Sequence, residues 1–232
     1  MRLDKFICHS TAATRQQVQR MVRDGVVFVN GIAVKKPDCK LKETDVVQLE
    51  GETIFLPLPR YFMLHKPAGY ICANRDGQHP VVLDLLHEKG IEQLQIAGRL
   101  DIDTTGLVLI TDDGAWNHKV TSPSRLCSKT YCVTLSEPLT EIAAEQLRSG
   151  VQLSGEKKST LPAELSYIDE QQRCVRLSIH EGKYHQVKRM FAAVGNHVVT
   201  LHRESIGSIV LDTALEPGQY RALTPVEIAS IH

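Results

Sequence analysis

Gly98-Arg99-Leu100-Asp101-Ile102-Asp103-Thr104-Thr105-Gly106-Leu107 is the stretch around which this chain is organised. Leu94-Gln95-Ile96-Ala97 before it alternates like a half-exposed strand, and Leu107-Val108-Leu109-Ile110 after it is continuously apolar, like a buried one. Asp112-Asp113-Gly114 then signals a turn. The pattern is strand, irregular polar connection, buried strand. Such a connection presents reactive side chains from a rigid scaffold while leaving them accessible. Asp, Thr and Gly are also the ordinary material of loops, so spacing alone leaves a catalytic role and a plain turn both open.

Upstream, Pro57-Leu58-Pro59-Arg60 reads as an extended linker, because each proline fixes its own backbone and restricts its predecessor. A domain boundary is expected near residue 59. Ahead of it, Leu3, Phe6 and Ile7 stand at helical spacing. Thr14 with Gln17 forms a capping-box pattern before the apolar stripe Val18, Met21, Val22, and Gly25 sits where a helix ends. Arg15, Gln19 and Arg23 then point outward. Val26–Val29 and Ile32–Val34, joined by Asn30-Gly31, predict a tight hairpin, with another strand at Val46–Leu49.

Downstream, Tyr61–His65 reads as a strand entering Lys66-Pro67. Pro80 is expected to open a helix through Val82, Leu83, Leu85 and Leu86 that ends by Gly90. Strands are expected at Thr130–Leu135, Ala163–Ile168 and Cys174–Ile179, and helices at Thr140–Ser149, His185–Val194 and from Thr224-Pro225. Strands interspersed with helices suggest an α+β catalytic region with a mixed, mainly antiparallel sheet flanked by helices.

The formal net charge is zero, but its distribution is uneven. Residues 1–42 hold nine Lys/Arg against three Asp, and residues 183–203 hold Lys183, Lys188, Arg189 and Arg203 with no acid. Two basic patches on a neutral chain suit a polyanion gripped locally. Six cysteines show no Cys-x-x-Cys pair, which favours free thiols in a reducing cytoplasm and argues against zinc. No signal-peptide pattern or membrane-spanning apolar run is present in the sequence, and no dinucleotide or phosphate-loop glycine motif.

Gly98-Arg99-Leu100-Asp101-x-x-Thr104-x-Gly106-Leu107 resembles the signature of the pseudouridine synthases, in the RsuA-type branch that acts on bacterial small-subunit rRNA. Three further blocks agree in order: Lys66-Pro67-Ala68-Gly69-Tyr70, Lys129-Thr130-Tyr131, and Glu181-Gly182-Lys183-Tyr184-His185-Gln186-Val187-Lys188-Arg189-Met190. The resemblance covers nearly the whole chain. It implies an S-four-type RNA-binding domain of two helices and a small sheet at residues 1–59, with phosphate contacts from Arg2, Lys5, Arg15, Arg20 and Arg23. Residues 60–232 are then the catalytic domain, with its cleft across the middle of the sheet.

The implied reaction breaks the bond from ribose carbon 1′ to the base, turns the uracil and rejoins it through carbon 5. Nothing is oxidised and no group is added, so no cofactor is expected. An electron-poor sugar calls for an ionised carboxylate beside it, a role the resemblance gives to Asp101. A carboxylate stripped of water needs a neighbouring cation to stay charged, and the family's basic residue matches Lys188. Asp103 is not required by the motif and is expected to be a loop residue. Tyr131 matches the tyrosine that stacks on the flipped base. Arg99, Leu100, Lys66, Lys129, Ile179, Tyr184, His185 and Arg189 are expected to meet substrate or RNA, Lys66 more as structural support and Arg189 at a phosphate.

The resemblance favours uridine-516 of 16S rRNA, in free RNA or a small-subunit assembly intermediate, and a monomeric cytoplasmic enzyme of ribosome biogenesis that needs no membrane. Tyr184-His185 argues against the alternative of a large-subunit rRNA synthase. The set Asp101, Tyr131 and Lys188 argues against a catalytically silent RNA-binding assembly factor.

Overall fold

The computed structural model describes every residue except Ala12, Glu43, Pro123, Ser124 and His232. The chain forms two compact units, Met1–Pro59 and Arg60–His232, each with its own core.

In the first unit, helices α1 (Leu3–Ser10) and α2 (Arg15–Arg23) precede four short strands: β1 (Val27–Val29), β2 (Ile32–Ala33), β3 (Val47–Leu49) and β4 (Glu52–Ile54). The sheet order is β2-β1-β3-β4. The capping box of α2 is formed. The Gln17 N–H donates to the Thr14 hydroxyl at 3.3 Å, and the Thr14 N–H donates to the Gln17 side chain at 2.7 Å. Asn30 and Gly31 both take positive φ (53° and 78°), as a primed two-residue turn requires. Leu3, Ile7, Val18, Val22, Val27 and Val47 are buried together, which turns Lys5, Arg15, Arg20 and Arg23 to solvent. Arg2 is also exposed, but its guanidinium grips Asp4 at 3.0 and 2.7 Å and holds that carboxyl below its usual range. Its charge is therefore spent largely inside the unit.

The second unit is built on one sheet with strands β5 (Tyr61–Lys66), β6 (Gln95–Ala97), β7 (Thr105–Thr111), β8 (Lys129–Leu135), β9 (Glu164–Tyr167), β10 (Cys174–Ile179), β11 (Val198–Ile206), β12 (Ile209–Val210) and β13 (Tyr220–Ala222). Its main path runs β13-β5-β7-β11-β8-β10-β9, with β6 on β7 and β12 on β11. Among the described residues, every pairing is antiparallel except β7 with β11. Helices α3 (Gly114–Thr121), α4 (Glu141–Ser149), α5 (Gln186–Ala193) and α6 (Pro225–Ala229) complete the unit.

The apolar run of β7 now has a cause. Val108 and Ile110 enter a core shared with Leu147 of α4 and Phe191 of α5, whereas Leu107 and Leu109 enter a second core with Trp116 of α3. The strand is covered on both faces, so it cannot alternate. Arg60 fastens the start of the unit through Asp112, with its Nε 2.8 Å from Oδ2, and through the carbonyls of Lys89 and Gly90.

Two local expectations are corrected. The helix expected from Pro80 to Gly90 is instead a 3₁₀ turn at Val82–Leu85, with a second at Ile91–Gln93. Val81, Val82, Leu83 and Leu86 are all buried, and a parallel bridge from Ile71 to Val81 draws the segment against the sheet. Tertiary packing therefore overrides helical propensity here. Asp112-Asp113-Gly114 does not merely turn the chain. The Asp113 carboxylate accepts from the N–H groups of Ala115 and Trp116 at 2.9 and 3.1 Å and caps α3, a helix the sequence pattern does not announce.

Candidate active site

A cleft of about 640 Å³ opens at the N-terminal end of β7, where the loop 98–104 meets β8, the end of β10 and the start of α5. The loop's conformation is set from beneath by two buried cations. The Arg203 guanidinium, on β11, donates to the carbonyls of Leu107, Gly98 and Arg99 at 2.8, 3.2 and 3.4 Å. The Lys66 ammonium, at the end of β5, donates to those of Thr104, Pro67 and Ile102 at 2.7, 3.0 and 3.3 Å. Both side chains are almost wholly buried, and burial holds Lys66 below the usual lysine range. Charged donors on neutral carbonyls satisfy the loop's backbone and fix its shape.

Three further bonds finish it. The Gly69 N–H donates to Ile102 O at 2.8 Å, the Leu100 N–H to Cys72 Sγ at 3.3 Å, and the Thr104 N–H to Asp101 O at 3.1 Å. Asp101 is thereby presented into the cleft by a rigid turn. The Thr104 hydroxyl, also on the cleft lining, is buried and has no partner among the described residues.

Asp101 meets α5. His185 Nε2 lies 3.3 Å from its Oδ1, and Lys188 Nζ lies 3.5 Å from its Oδ2. His185 reaches it from a left-handed backbone (φ 46°) at the N-cap of the helix, with the ring of exposed Tyr184 stacked on its own at 3.8 Å. Gln186 is buried behind them, donating to Glu181 Oε1 at 2.9 Å and accepting from the Lys183 N–H at 2.8 Å. This pins the segment that carries His185. The stronger partner of Lys188 is Asp103, at 2.6 and 2.8 Å. That hydrogen bond is the main reason the Asp103 carboxyl lies below its usual range.

The structure therefore brings Asp101, Tyr131, Lys188, Arg99, Leu100, Lys129, Ile179, Tyr184 and His185 to one cleft. Tyr131 and Ile179 are buried in its wall, and Arg99 is exposed. Lys66 supports the loop from below, and one expected contact, that of Arg189 with phosphate, is placed elsewhere. Lys66 is sealed under the loop and presents no charge to solvent. Arg189 spends its guanidinium on Glu156 at 3.2 Å and on the carbonyls of Tyr184 and Ser154, rather than leaving it for phosphate. Lys129 lines the cleft, but its ammonium donates to Cys127 O at 2.6 Å, and burial lowers its pKa.

Three participants are not evident from the sequence. Asp103 stands two residues from Asp101, but nothing in the spacing says that Lys188 reaches it. Thr104 belongs to the motif without a role. Arg203 reads as part of a basic surface patch, whereas its two-residue spacing from the buried Leu201 on β11 is the signal of an inward side chain.

The family described as RNA pseudouridylate synthase matches residues 60–193, and the S4 domain family matches residues 1–47. A ribosomal small subunit pseudouridine synthase A of Vibrio cholerae is 53% identical over 231 residues, covering 100% of this chain and 99% of the relative. Its namesake in Escherichia coli (strain K12) is 53% identical over 232 residues, covering 100% of both. A crystal structure titled pseudouridylate synthase superposes with a TM-score of 0.73 at 45% identity, covering 100% of both chains.

Proposed function

The chain belongs to the RNA pseudouridylate synthase family, and from that premise we propose that it isomerises a uridine of bacterial small-subunit rRNA, uridine-516, to pseudouridine. The observation that carries the reading is the Asp101 carboxylate, set into a cleft large enough for a nucleotide, with His185 at 3.3 Å and Lys188 at 3.5 Å. The small-subunit assignment rests on relatives that share about half of their residues with this chain over its whole length.

In this reading a folded RNA gives up one nucleotide to the cleft, at an unstacking cost of a few kcal/mol. Stacking on the Tyr131 ring and apolar contact with Leu100 and Ile179 offset that cost. Asp101 faces the ribose as nucleophile or base when the bond from carbon 1′ to N1 breaks. The uracil turns within the site, carbon 5 bonds to carbon 1′, and the Tyr131 hydroxyl helps remove the carbon 5 proton. N1 ends protonated, so substrate and product are isomers. Lys188 stands 3.5 Å from Asp101 as its countercharge. The exposed arginines of α2, with Lys5, grip phosphates of the RNA. Arg99 contacts RNA at the cleft.

The test is a map of pseudouridines at single-nucleotide resolution in 16S rRNA from cells lacking the gene. Position 516 should read as uridine, regain pseudouridine with the wild-type gene, and stay unmodified with Asp101→Asn. A modified 516 in the deletion strain rejects the target.

A further inference from the structure

Lys188 stands between two carboxylates and does not treat them alike. It is within hydrogen-bonding distance of both Asp103 oxygens, at 2.6 and 2.8 Å, and stops 3.5 Å short of Asp101. Coulomb attraction falls as the inverse of distance, so at 3.5 Å roughly four-fifths of its value at 2.8 Å survives. The ammonium's carboxylate hydrogen bonds, however, both go to Asp103, and Asp101 is left with the longer ion pair. Asp101 therefore feels the cation without being bonded by it. Its Oδ2 is thus not tied up by the ammonium, while Oδ1 faces His185 Nε2 at 3.3 Å, and an attacking or proton-accepting carboxylate requires such an unbonded oxygen.

We propose that Asp103 is a positioning residue, which draws the Lys188 ammonium off Asp101 so that the cation stays close to Asp101 without hydrogen-bonding the Oδ2 that faces it, leaving that oxygen for the ribose. This rests on the reading above, in which Asp101 acts on the sugar. The low position of the Asp103 carboxyl, caused chiefly by Lys188, means that Asp103 holds its charge throughout the working range.

Of the other charged groups around Asp101, Arg99 shares its loop and is exposed on the cleft lining, and those that approach from the packed elements are engaged as follows. Lys66 and Arg203 approach from β5 and β11, and both are committed to carbonyls of the loop. Lys129 on β8 is committed to Cys127 O, beside Tyr131, the titratable ring on that wall. His185 bears on Asp101 from the segment before α5, where Lys183 and Glu181 are 3.7 Å apart. Among the described residues, only the Lys188 ammonium is shared between two loop carboxylates, and only Asp103 biases it away.

The experiment is steady-state kinetics of the full-length enzyme on 16S rRNA across pH, for wild type, Asp103→Asn and Asp103→Glu. In Asp103→Asn the ammonium closes on Asp101 and a neighbouring negative charge disappears, and both changes favour ionised Asp101. The acid limb of kcat/KM then moves to lower pH, while kcat on the plateau falls about tenfold or more with KM changed by less than about threefold. Asp103→Glu, which keeps the anion, returns both the limb and most of the rate. Asp103 is exposed, so neither change threatens the core. A residue that merely packs the loop would lower the rate without moving the limb downward. An unmoved or raised limb in Asp103→Asn, or wild-type kcat, overturns the inference alone. A wild-type enzyme inactive on rRNA overturns the functional reading and takes this inference with it.

Discussion

Gly106 and Arg203 face each other across the parallel pairing of β7 with β11, so closely that a Cβ on Gly106 would stand 2.3 Å from the Arg203 carbonyl oxygen. Gly106 also has φ +108°, a backbone that side chains rarely adopt. The glycine closing the Asp101 loop is therefore a condition for joining the two strands. Gly106→Ala should lower stability by more than about 3 kcal/mol, since neither backbone can move without breaking the sheet. Urea unfolding of the purified variant checks this. A loss below about 1 kcal/mol would mean the strands separate easily.

The guanidinium on the same β11 residue makes the second prediction. Arg203 donates three hydrogen bonds to loop carbonyls from a site 2% exposed. Arg203→Lys keeps the charge but cannot span three acceptors. It should cost roughly 2–4 kcal/mol by leaving buried carbonyls unpaired, and activity should fall further than stability because the loop loses its shape. RNA affinity through the first unit should stay near wild type. A variant with wild-type turnover would show that the loop holds itself.

Asp101→Asn should remove isomerisation, with turnover at least roughly 10³-fold down, and leave RNA binding within about threefold of wild type. The amide is nearly isosteric, but it is neither nucleophilic nor basic. Product formation and filter binding on the same preparation separate the two effects. Substantial residual turnover would remove Asp101 from the chemistry.

The sequence announces the sheet and the loop far better than it announces their wiring. Continuous apolar character at Leu107–Ile110 is enough to predict a buried strand, and Asn30-Gly31 enough to predict a hairpin. Those are local patterns with local causes. The helix expected at Pro80–Gly90 fails because Val81 and Val82 are held by Ile71, ten residues back along the chain, and not by their own turn. The bond between Lys188 and Asp103 spans 85 residues and cannot be read from spacing. Arg203 shows the same limit from the other side: as a letter it looks like surface charge, and only its register against Gly106 makes it a strut.

On the first unit, Arg15, Arg20 and Arg23 are exposed on α2, whereas Arg2 is engaged by Asp4. Replacing the three α2 arginines with alanine should flatten the salt dependence of RNA affinity by about 0.7–0.9 in log–log slope for each phosphate that is no longer neutralised. Arg2→Ala should change that slope much less. Binding isotherms at several salt concentrations decide it. Equal slopes for the triple variant and wild type would mean another surface holds the RNA.

Acid stability should hinge on Glu227, far from the cleft. Its carboxylate accepts from Arg221 at 2.8 and 2.9 Å and from the Thr224 N–H at 2.7 Å, where it closes the cap of α6. These bonds, that to Arg221 foremost, hold its pKa down from 4.5 to about 2. A carboxyl depressed in the folded state stabilises the fold fully above its unfolded pKa. That contribution then drains away as pH falls toward the folded value, here between about pH 5 and pH 2. The depression corresponds to at most about 3 kcal/mol. With the Glu227 side chain 20% and the Arg221 side chain 30% exposed, screening by water reduces this to on the order of 1–2 kcal/mol. Glu227→Gln should therefore trail wild type by that amount at neutral pH, and the gap should close as the solution is acidified. Trp116 reports the transition, because it is the sole tryptophan and its indole N–H donates to Ile228 O of α6 at 3.0 Å. A gap that stays constant down to about pH 2 would assign the effect of Glu227 to packing and capping shape, since an ionic contribution must vanish once the carboxylate takes its proton.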